Sequence, residues 1–276
     1  MQNQSFTSAR RALAEKLSLF LNHNEANAES WRWFEEGLGW GRARIIAHGN
    51  EIVTEDIENQ LAVWLDRRAR GEPWAYILGW TTWRGRRFNV TPATLIPRPE
   101  TEFVLESAIE LAVQIGARRV LDVGAGAGIL AVTLALETNL DVTATDISPK
   151  ALAAAKQNAR EHGVNITWLS GDLLASVPDP VDLVVSNPPY VDPDDKANLQ
   201  RELLFEPGAA LFAPDRGLEV TTRLLEQCFK RKARGVVLEI GSGQGDELKL
   251  RASKIGWQVV EIKQDIAKHD RVLTAW

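Results

Sequence analysis

Cysteine is nearly absent: Cys228 stands alone in a chain of 276 residues. One thiol cannot close an internal disulfide, so no part of the fold rests on a covalent cross-link, and the composition fits a reducing cytoplasm. The surrounding "LLEQCFK" has apolar residues at helical spacing, which makes Cys228 a small core residue rather than a nucleophile. Histidine is scarce as well. His23, His48, His162 and His269 are far apart and match no metal-ligand spacing, so no metal is expected. No run approaches the roughly 18 consecutive apolar residues of a membrane span. The start, "MQNQSFTSARRALAEKL", lacks the basic-then-apolar order of a secretory signal. A basic excess is missing too, since 32 Lys and Arg face 37 Asp and Glu, for a net charge of −5. Proteins whose main work is gripping a phosphate backbone usually show the opposite balance. Arginines cluster only locally, in "DRRAR" (66–70) and "RGRR" (84–87), and read as solvated faces, with a contact surface as the alternative.

What is present is ordinary for a globular chain, 45% hydrophobic and 25% charged, long enough for one large domain or a large one with a small one. The first part is helical in pattern. "TSARRALAEKLSLFL" puts Leu13, Leu17 and Phe20 or Leu21 on one stripe. "TEDIENQLAVWLDRRARG" predicts a helix with Thr54 as N-cap, Ile57, Leu61, Trp64 and Leu65 on one face, and a stop at Gly71. Trp31, Trp33 and Trp40 read as packing residues of this bundle. Between 76 and 97, β-branched and aromatic residues broken by Gly79, Gly85 and Pro92 predict a β-hairpin connector. Beyond it, strand-like runs ("RRVLDVG", "DVTATD", "ITWLS", "VDLVVS", "GVVLEIG", "WQVVEI", "DRVLTAW") alternate with helical patterns. Such alternation predicts an α/β fold with a mostly parallel sheet covered by helices on both faces. The last run follows too closely for a crossover helix and should pair antiparallel at or near one edge. The expected division is therefore a helical domain over 1–75, the hairpin over 76–97 and the α/β domain over 98–276.

"VLDVGAGAGILA" (120–131) is a strand, a glycine turn and a helix start. Gly124, Gly126 and Gly128, with Ala125 and Ala127 between them, allow close backbone approach to a ligand. Asp146 ends the next strand, where a carboxylate accepts from two ribose hydroxyls. By themselves these residues fit a nicotinamide dinucleotide or S-adenosylmethionine (SAM) equally. Asp122, two residues before the glycines, is a candidate for the amino-acid portion of such a cofactor, with support of the following helix as the alternative. Asp172 and Leu173 in "SGDLL" are placed for an adenine amino group and ring. A second cluster, "LEIGSGQG" (238–245), has only 31 residues after it, too few for the rest of a cofactor domain, and reads as a turn.

"SNPPY" (186–190) follows the apolar run "VDLVV". The prolines end a strand, which leaves Asn187 and Tyr190 to be explained. Asn187 should lie across the mouth from the glycine turn. Its side-chain carbonyl and the backbone carbonyl of Pro188 can accept from one planar –NH2, and the ring of Tyr190 can pack on the group that bears it. Pro188 and Pro189 stiffen the turn. This constellation suits methyl transfer to a conjugated nitrogen, with orientation as the main source of rate.

The same residues resemble the N-P-P-Y motif of SAM-dependent methyltransferases acting on planar nitrogens, adenine amino groups and the glutamine side-chain amide among them. Longer stretches narrow the likeness. "RGEPWAYILGW" (70–80), "FNVTPATLIPRPETE" (88–102), "SNPPYV", "LLFEPGAALFAPDRGLE" (203–219) and "LEIGSGQG" together resemble the PrmC/HemK family of peptide chain release factor glutamine methyltransferases. The resemblance implies a Rossmann-like class I methyltransferase domain with a seven-stranded sheet, preceded by a helical substrate-recognition domain. It also implies SAM contacts from Gly124 to Gly128, Asp146, Leu173 and Asn187. Asn187, Pro188, Pro189 and Tyr190 would hold the glutamine of a Gly-Gly-Gln loop, with Leu95 and Glu239 bordering its pocket. Partners would be release factors, with no nucleic-acid substrate and a monomeric state. Departures from the family pattern are the alanines between the glycines, Leu95 and Leu173 in place of frequent aromatics, and "DIAKHDRV", which lacks a glycine after its alanine. The rival enzyme reading is a DNA or RNA adenine methyltransferase; a non-catalytic SAM-binding module and a nicotinamide dehydrogenase fit less of the sequence.

Overall fold

The computed structural model describes residues 4–178 and 180–276. The chain divides into two compact units, Met1–Leu78 and Gly79–Trp276. No helix among the described residues is long and apolar enough to cross a membrane.

The first unit is helical: α1 (Phe6–Leu17), α2 (His23–Arg32), a π-turn (Trp33–Gly37), α3 (Arg42–Ala47), α4 (Glu55–Ala69) and α5 (Trp74–Leu78). Ser5 caps α1 and Asn22 caps α2, each through a side-chain oxygen that accepts a backbone N–H. Thr54 stands at the N-cap of α4 without a side-chain cap bond. Glu55, Asp56 and Glu58 set negative charge against that helix end instead. Leu13 and Leu17 are buried as the stripe requires, whereas Phe20 lies past the helix end and is partly exposed. Trp33 stacks on Trp74 at 4.9 Å, and Trp64 meets both edge-on. Trp40 stacks on Phe6, and Trp31 lies beneath Arg10. The 66–70 arginines are ion-paired, Arg67 with Glu72, the buried Arg68 with Glu29 and Arg70 with Asp66.

The second unit opens with the hairpin β1 (Trp80–Trp83) and β2 (Arg86–Asn89), turned at Arg84 and Gly85, both at positive φ. The arginines of "RGRR" are engaged here too. Arg84 and Arg86 pair with Glu137, and Arg87 lies over Trp80. Next come α6 (Thr101–Ile115), β3 (Arg119–Val123), α7 (Ile129–Glu137), β4 (Asp141–Asp146), α8 (Pro149–Glu161), β5 (Thr167–Ser170) and β6 (Leu183–Ser186). Two short helical turns, α9 (Gly208–Leu211) and α10 (Pro214–Gly217), lead into α11 (Glu219–Lys230), β7 (Gly235–Glu239), α12 (Gly245–Ile255), β8 (Val260–Gln264) and β9 (Asp270–Ala275). The strands form one seven-stranded sheet in the order β5-β4-β3-β6-β7-β9-β8. The first five are parallel, and β9 runs antiparallel to both its neighbours. The final strand is thus antiparallel and near one edge as expected, lying between β7 and the edge strand β8.

Strand residues alternate between two cores, as a period of two demands. Val120, Val142, Leu183, Val185 and Val237 pack toward α6, α7 and α8. Leu121, Val123, Val184, Val236 and Leu238 pack toward α11 and α12, with Cys228 in their midst. Both faces being covered explains why the runs are almost continuously apolar. The order reverses between β3, which leads outward to β4 and β5, and β6, which leads to β7. Ligands of such sheets bind beyond the carboxyl ends of the strands at that reversal.

Candidate active site

The parallel register brings the candidate residues to one end of the sheet. Val123 pairs with Thr145 on one side and Ser186 on the other, so the glycine turn after β3 and "NPPY" after β6 leave the sheet side by side. Two cavities open there. The larger, about 510 Å³, is bordered by Gly124, Gly126, Asp146, Leu173 and Asn187. The smaller, about 250 Å³, is bordered by Tyr190, Glu239, Arg271 and Leu203. Leu95, Arg98, Asn187 and Ala210 border both.

The turn is held by its backbone. Gly124 and Ala125 donate to the carbonyl of Thr145, and Gly128 donates to Ala125. Ala125 and Ala127 border the larger cavity, but Gly128 does not. A Cβ on Gly128 would come within 3.0 Å of the Ala155 Cβ and 3.2 Å of the Trp168 ring, so this glycine lets α8 pack closely. Asp146 is anchored at both oxygens, Oδ2 accepting from Gly126 N at 2.8 Å and Oδ1 from Ser148 N at 2.8 Å. Asp172 pairs with Arg223 at 2.5 Å. Leu173 takes a left-handed φ of 50°, an unusual conformation for a branched side chain, on the cavity wall.

Asp122 shares its sheet face with Val120 and looks toward α7. Its Oδ2 accepts from Ala131 N at 3.0 Å and so supports the start of α7. Its Oδ1 is buried and has no hydrogen-bond partner among the described residues. Burial drives this carboxyl up to about 7; the Ala131 bond opposes the rise and Asp146 adds to it. An orphaned acceptor beside a glycine turn, with the Asp146 carboxylate on the same cavity, fits a ligand that brings its own donors, as the amino-acid and ribose portions of SAM do.

Asn187 donates from Nδ2 to Thr101 Oγ1 at 3.2 Å, Thr101 donates to Glu239 Oε2 at 2.7 Å, and the Tyr190 hydroxyl donates to Glu239 Oε1 at 3.1 Å. Thr101 and Glu239 are buried. Burial raises Glu239 to about 7, against the bonds from Thr101 and Tyr190, with Glu100 adding to the rise and Arg271 opposing it. Burial beside that carboxyl also holds the Tyr190 phenol far above its usual range. Pro189 borders the larger cavity, while Pro188 is buried and borders neither.

Several residues of the site carry no sequence signal of their own. Thr101 sits within "PRPETE" and 86 positions from Asn187. Gln244, in the second glycine cluster, donates to the carbonyl of Tyr190 at 3.0 Å and so clamps the "NPPY" turn. Glu206, in "LLFEPG", is buried, accepts from Ile96 N and pairs with Arg98, which ties the Leu95 loop to the segment after "NPPY".

Residues 101–215 match the methyltransferase small domain family. The catalytic domain of human METTL16, solved in complex with the MAT2A 3′UTR hairpin 6, superposes with a TM-score of 0.59 over 79% of this chain and 81% of that one, at 17% identity, a likeness of fold alone. Sheet order, reversal point and the matched domain define the class I SAM-dependent methyltransferase fold. Residues 7–79 match the PrmC N-terminal domain. The release factor glutamine methyltransferase of Deinococcus radiodurans is 35% identical, with 87% of each chain covered. Its namesake in Nitratidesulfovibrio vulgaris is 40% identical over 76% of this chain and 74% of its own. The chain belongs to the release factor glutamine methyltransferase family.

Proposed function

We propose that this protein transfers a methyl group from SAM to the side-chain amide nitrogen of the glutamine in the Gly-Gly-Gln loop of peptide chain release factors. One observation carries the reading: Asn187 borders both the cavity of the glycine turn and the smaller cavity of Tyr190 and Glu239. An amide entering through the smaller cavity meets an acceptor at the wall of the larger one.

The glycine turn, Asp122, Asp146, Asp172 and Leu173 would hold SAM, which would supply an electrophilic methyl group, with S-adenosylhomocysteine as the product. The chain's own task is to orient the nucleophile. Asn187 Oδ1 and the carbonyl of Pro188 accept the two amide hydrogens, and Tyr190 packs on the amide plane. An amide nitrogen is a poor nucleophile because its lone pair is delocalised. Acceptors on both hydrogens push electron density back to nitrogen and favour the cationic product, so no strong base is needed at the outset. The proton leaves after transfer. Leu95 closes one side of the glutamine pocket.

The helical domain, residues 1–75, is assigned to recognition of the factor body, with the hairpin (76–97) as connector. The protein acts as a monomer in the cytoplasm. Incubation with SAM and a purified release factor, followed by mass spectrometry of its peptides, tests the assignment. One methyl on the glutamine of Gly-Gly-Gln supports it; methyl on another residue, or none, refutes it.

A further inference from the structure

We infer that Thr101 and Glu239 fix the orientation of the Asn187 amide, so that the asparagine presents an acceptor and not a donor to the substrate nitrogen. For its consequence this rests on the glutamine-amide reading; for its cause it rests on geometry. The two ends of an asparagine amide are nearly identical in shape, so packing alone does not choose between them. Hydrogen bonding does. Glu239 receives Thr101 at one oxygen and Tyr190 at the other, at 2.7 and 3.1 Å. An ionised carboxylate only accepts, so both hydroxyls must donate to it. Thr101 has one hydroxyl proton, and it is committed. Toward Asn187, 3.2 Å away, Thr101 can therefore act only as acceptor, and it draws Nδ2. Oδ1 is left for the cavities that Asn187 borders. Flipped, the amide would set two acceptors against each other at Thr101 and turn a donor toward the substrate –NH2. Thr101 and Glu239 are thus positioning residues acting through Asn187, and Glu239 holds Tyr190 with the same group.

The arrangement has a pH dependence with a defined sign. Glu239 is faced by Glu100 and Thr101 at the start of α6, by Tyr190 after β6 and by Arg271 on β9. Its carboxylate form predominates above about 7 and is lost as pH falls through that value. A protonated Glu239 has a proton of its own to donate and no longer dictates the direction of the chain of bonds.

The test compares methyl transfer to a release factor by the wild-type protein, Thr101→Val, Thr101→Ser and Glu239→Gln, with SAM affinity followed by calorimetry. Thr101→Val should lower kcat about 10- to 100-fold, with SAM affinity unchanged and Thr101→Ser restoring most of the loss. The wild-type fall in kcat below pH of about 7 should be missing in Glu239→Gln. A Thr101→Val enzyme with wild-type kcat overturns the inference. A second readout needs no activity: hydrogen exchange of the Asn187 side-chain amide in protein labelled with 15N-asparagine. Exchange should be slow in the wild type and Thr101→Ser and fast in Thr101→Val. If the wild type methylates no release factor, the glutamine reading falls, and the amide exchange alone decides the orientation. Equal exchange in the wild type and Thr101→Val overturns it.

Discussion

Asn187 concentrates the account into one side chain. Its only described hydrogen bond is the one to Thr101, so removing it touches little of the core. Asn187→Ala should lower kcat/KM by at least about 100-fold, roughly 3 kcal/mol of transition-state stabilisation, while leaving the thermal transition nearly in place. Near-normal turnover in that variant would contradict the amide-holding role. Asp122 gives a prediction about pH. Its carboxyl is raised to about 7 in the folded chain, above its unfolded value. The folded state therefore binds the extra proton, and this contribution to stability, on the order of 4 kcal/mol, is full below pH of about 4 and lost as pH rises through about 7. Asp122→Asn should flatten part of the fall in Tm between acidic and mildly alkaline pH. A bound cation favours the carboxylate, so SAM affinity should weaken below pH of about 7 in the wild type and lose that dependence in Asp122→Asn. Calorimetric titrations across pH check it; identical profiles would show that Asp122 supports the helix only. Asn187 and Tyr190 were legible in sequence because their motif is contiguous and its local geometry demands explanation. Thr101 was not, because its part comes from a partner 86 residues away.

Among the elements, the turns hold what the sequence pattern hides. Asp215, Arg216 and Gly217 all take positive φ before α11. A Cβ on Gly217 would lie 2.0 Å from the carbonyl oxygen of Tyr190, so the "NPPY" turn and the Gly217 turn fit only without one. Gly217→Ala should cost at least about 2 kcal/mol and displace Tyr190, lowering methyl transfer more than SAM binding. Chemical denaturation checks the first part, and SAM titration beside a methyl-transfer assay checks the second. The β8–β9 turn carries the opposite case. Lys268 has a φ of 65° at the place where a glycine would be free of strain. Lys268→Gly should raise stability by up to about 1 kcal/mol, since relief of the left-handed strain outweighs the added freedom of the unfolded chain. A clear fall in Tm would refute that balance. The strands of the parallel sheet were readable from their apolar runs. The slot taken by β9 was not, because periodicity says which face a strand buries and nothing about its neighbour.

For the molecule as a whole, alternation of strand and helix made the class of fold legible, whereas the sequence pattern changes at 75–76 and the compact units part after Leu78, because α5 runs on to that residue. Charge at this scale speaks to the choice of substrate. The net charge is −5, and the arginines of both local clusters are engaged, by carboxylates or, for Arg87, by the Trp80 ring. Neighbouring carboxylates offset much of the positive charge of both clusters, which does not favour the basic groove that a nucleic-acid substrate calls for. Transfer of labelled methyl from SAM to an intact release factor, its Gly-Gly-Ala loop variant, and mixed DNA and RNA decides whether the glutamine amide is the acceptor. Label is expected on the intact factor, lost with the glutamine and absent from nucleic acid. Label retained by the loop variant, or found on nucleic acid alone, would contradict that assignment.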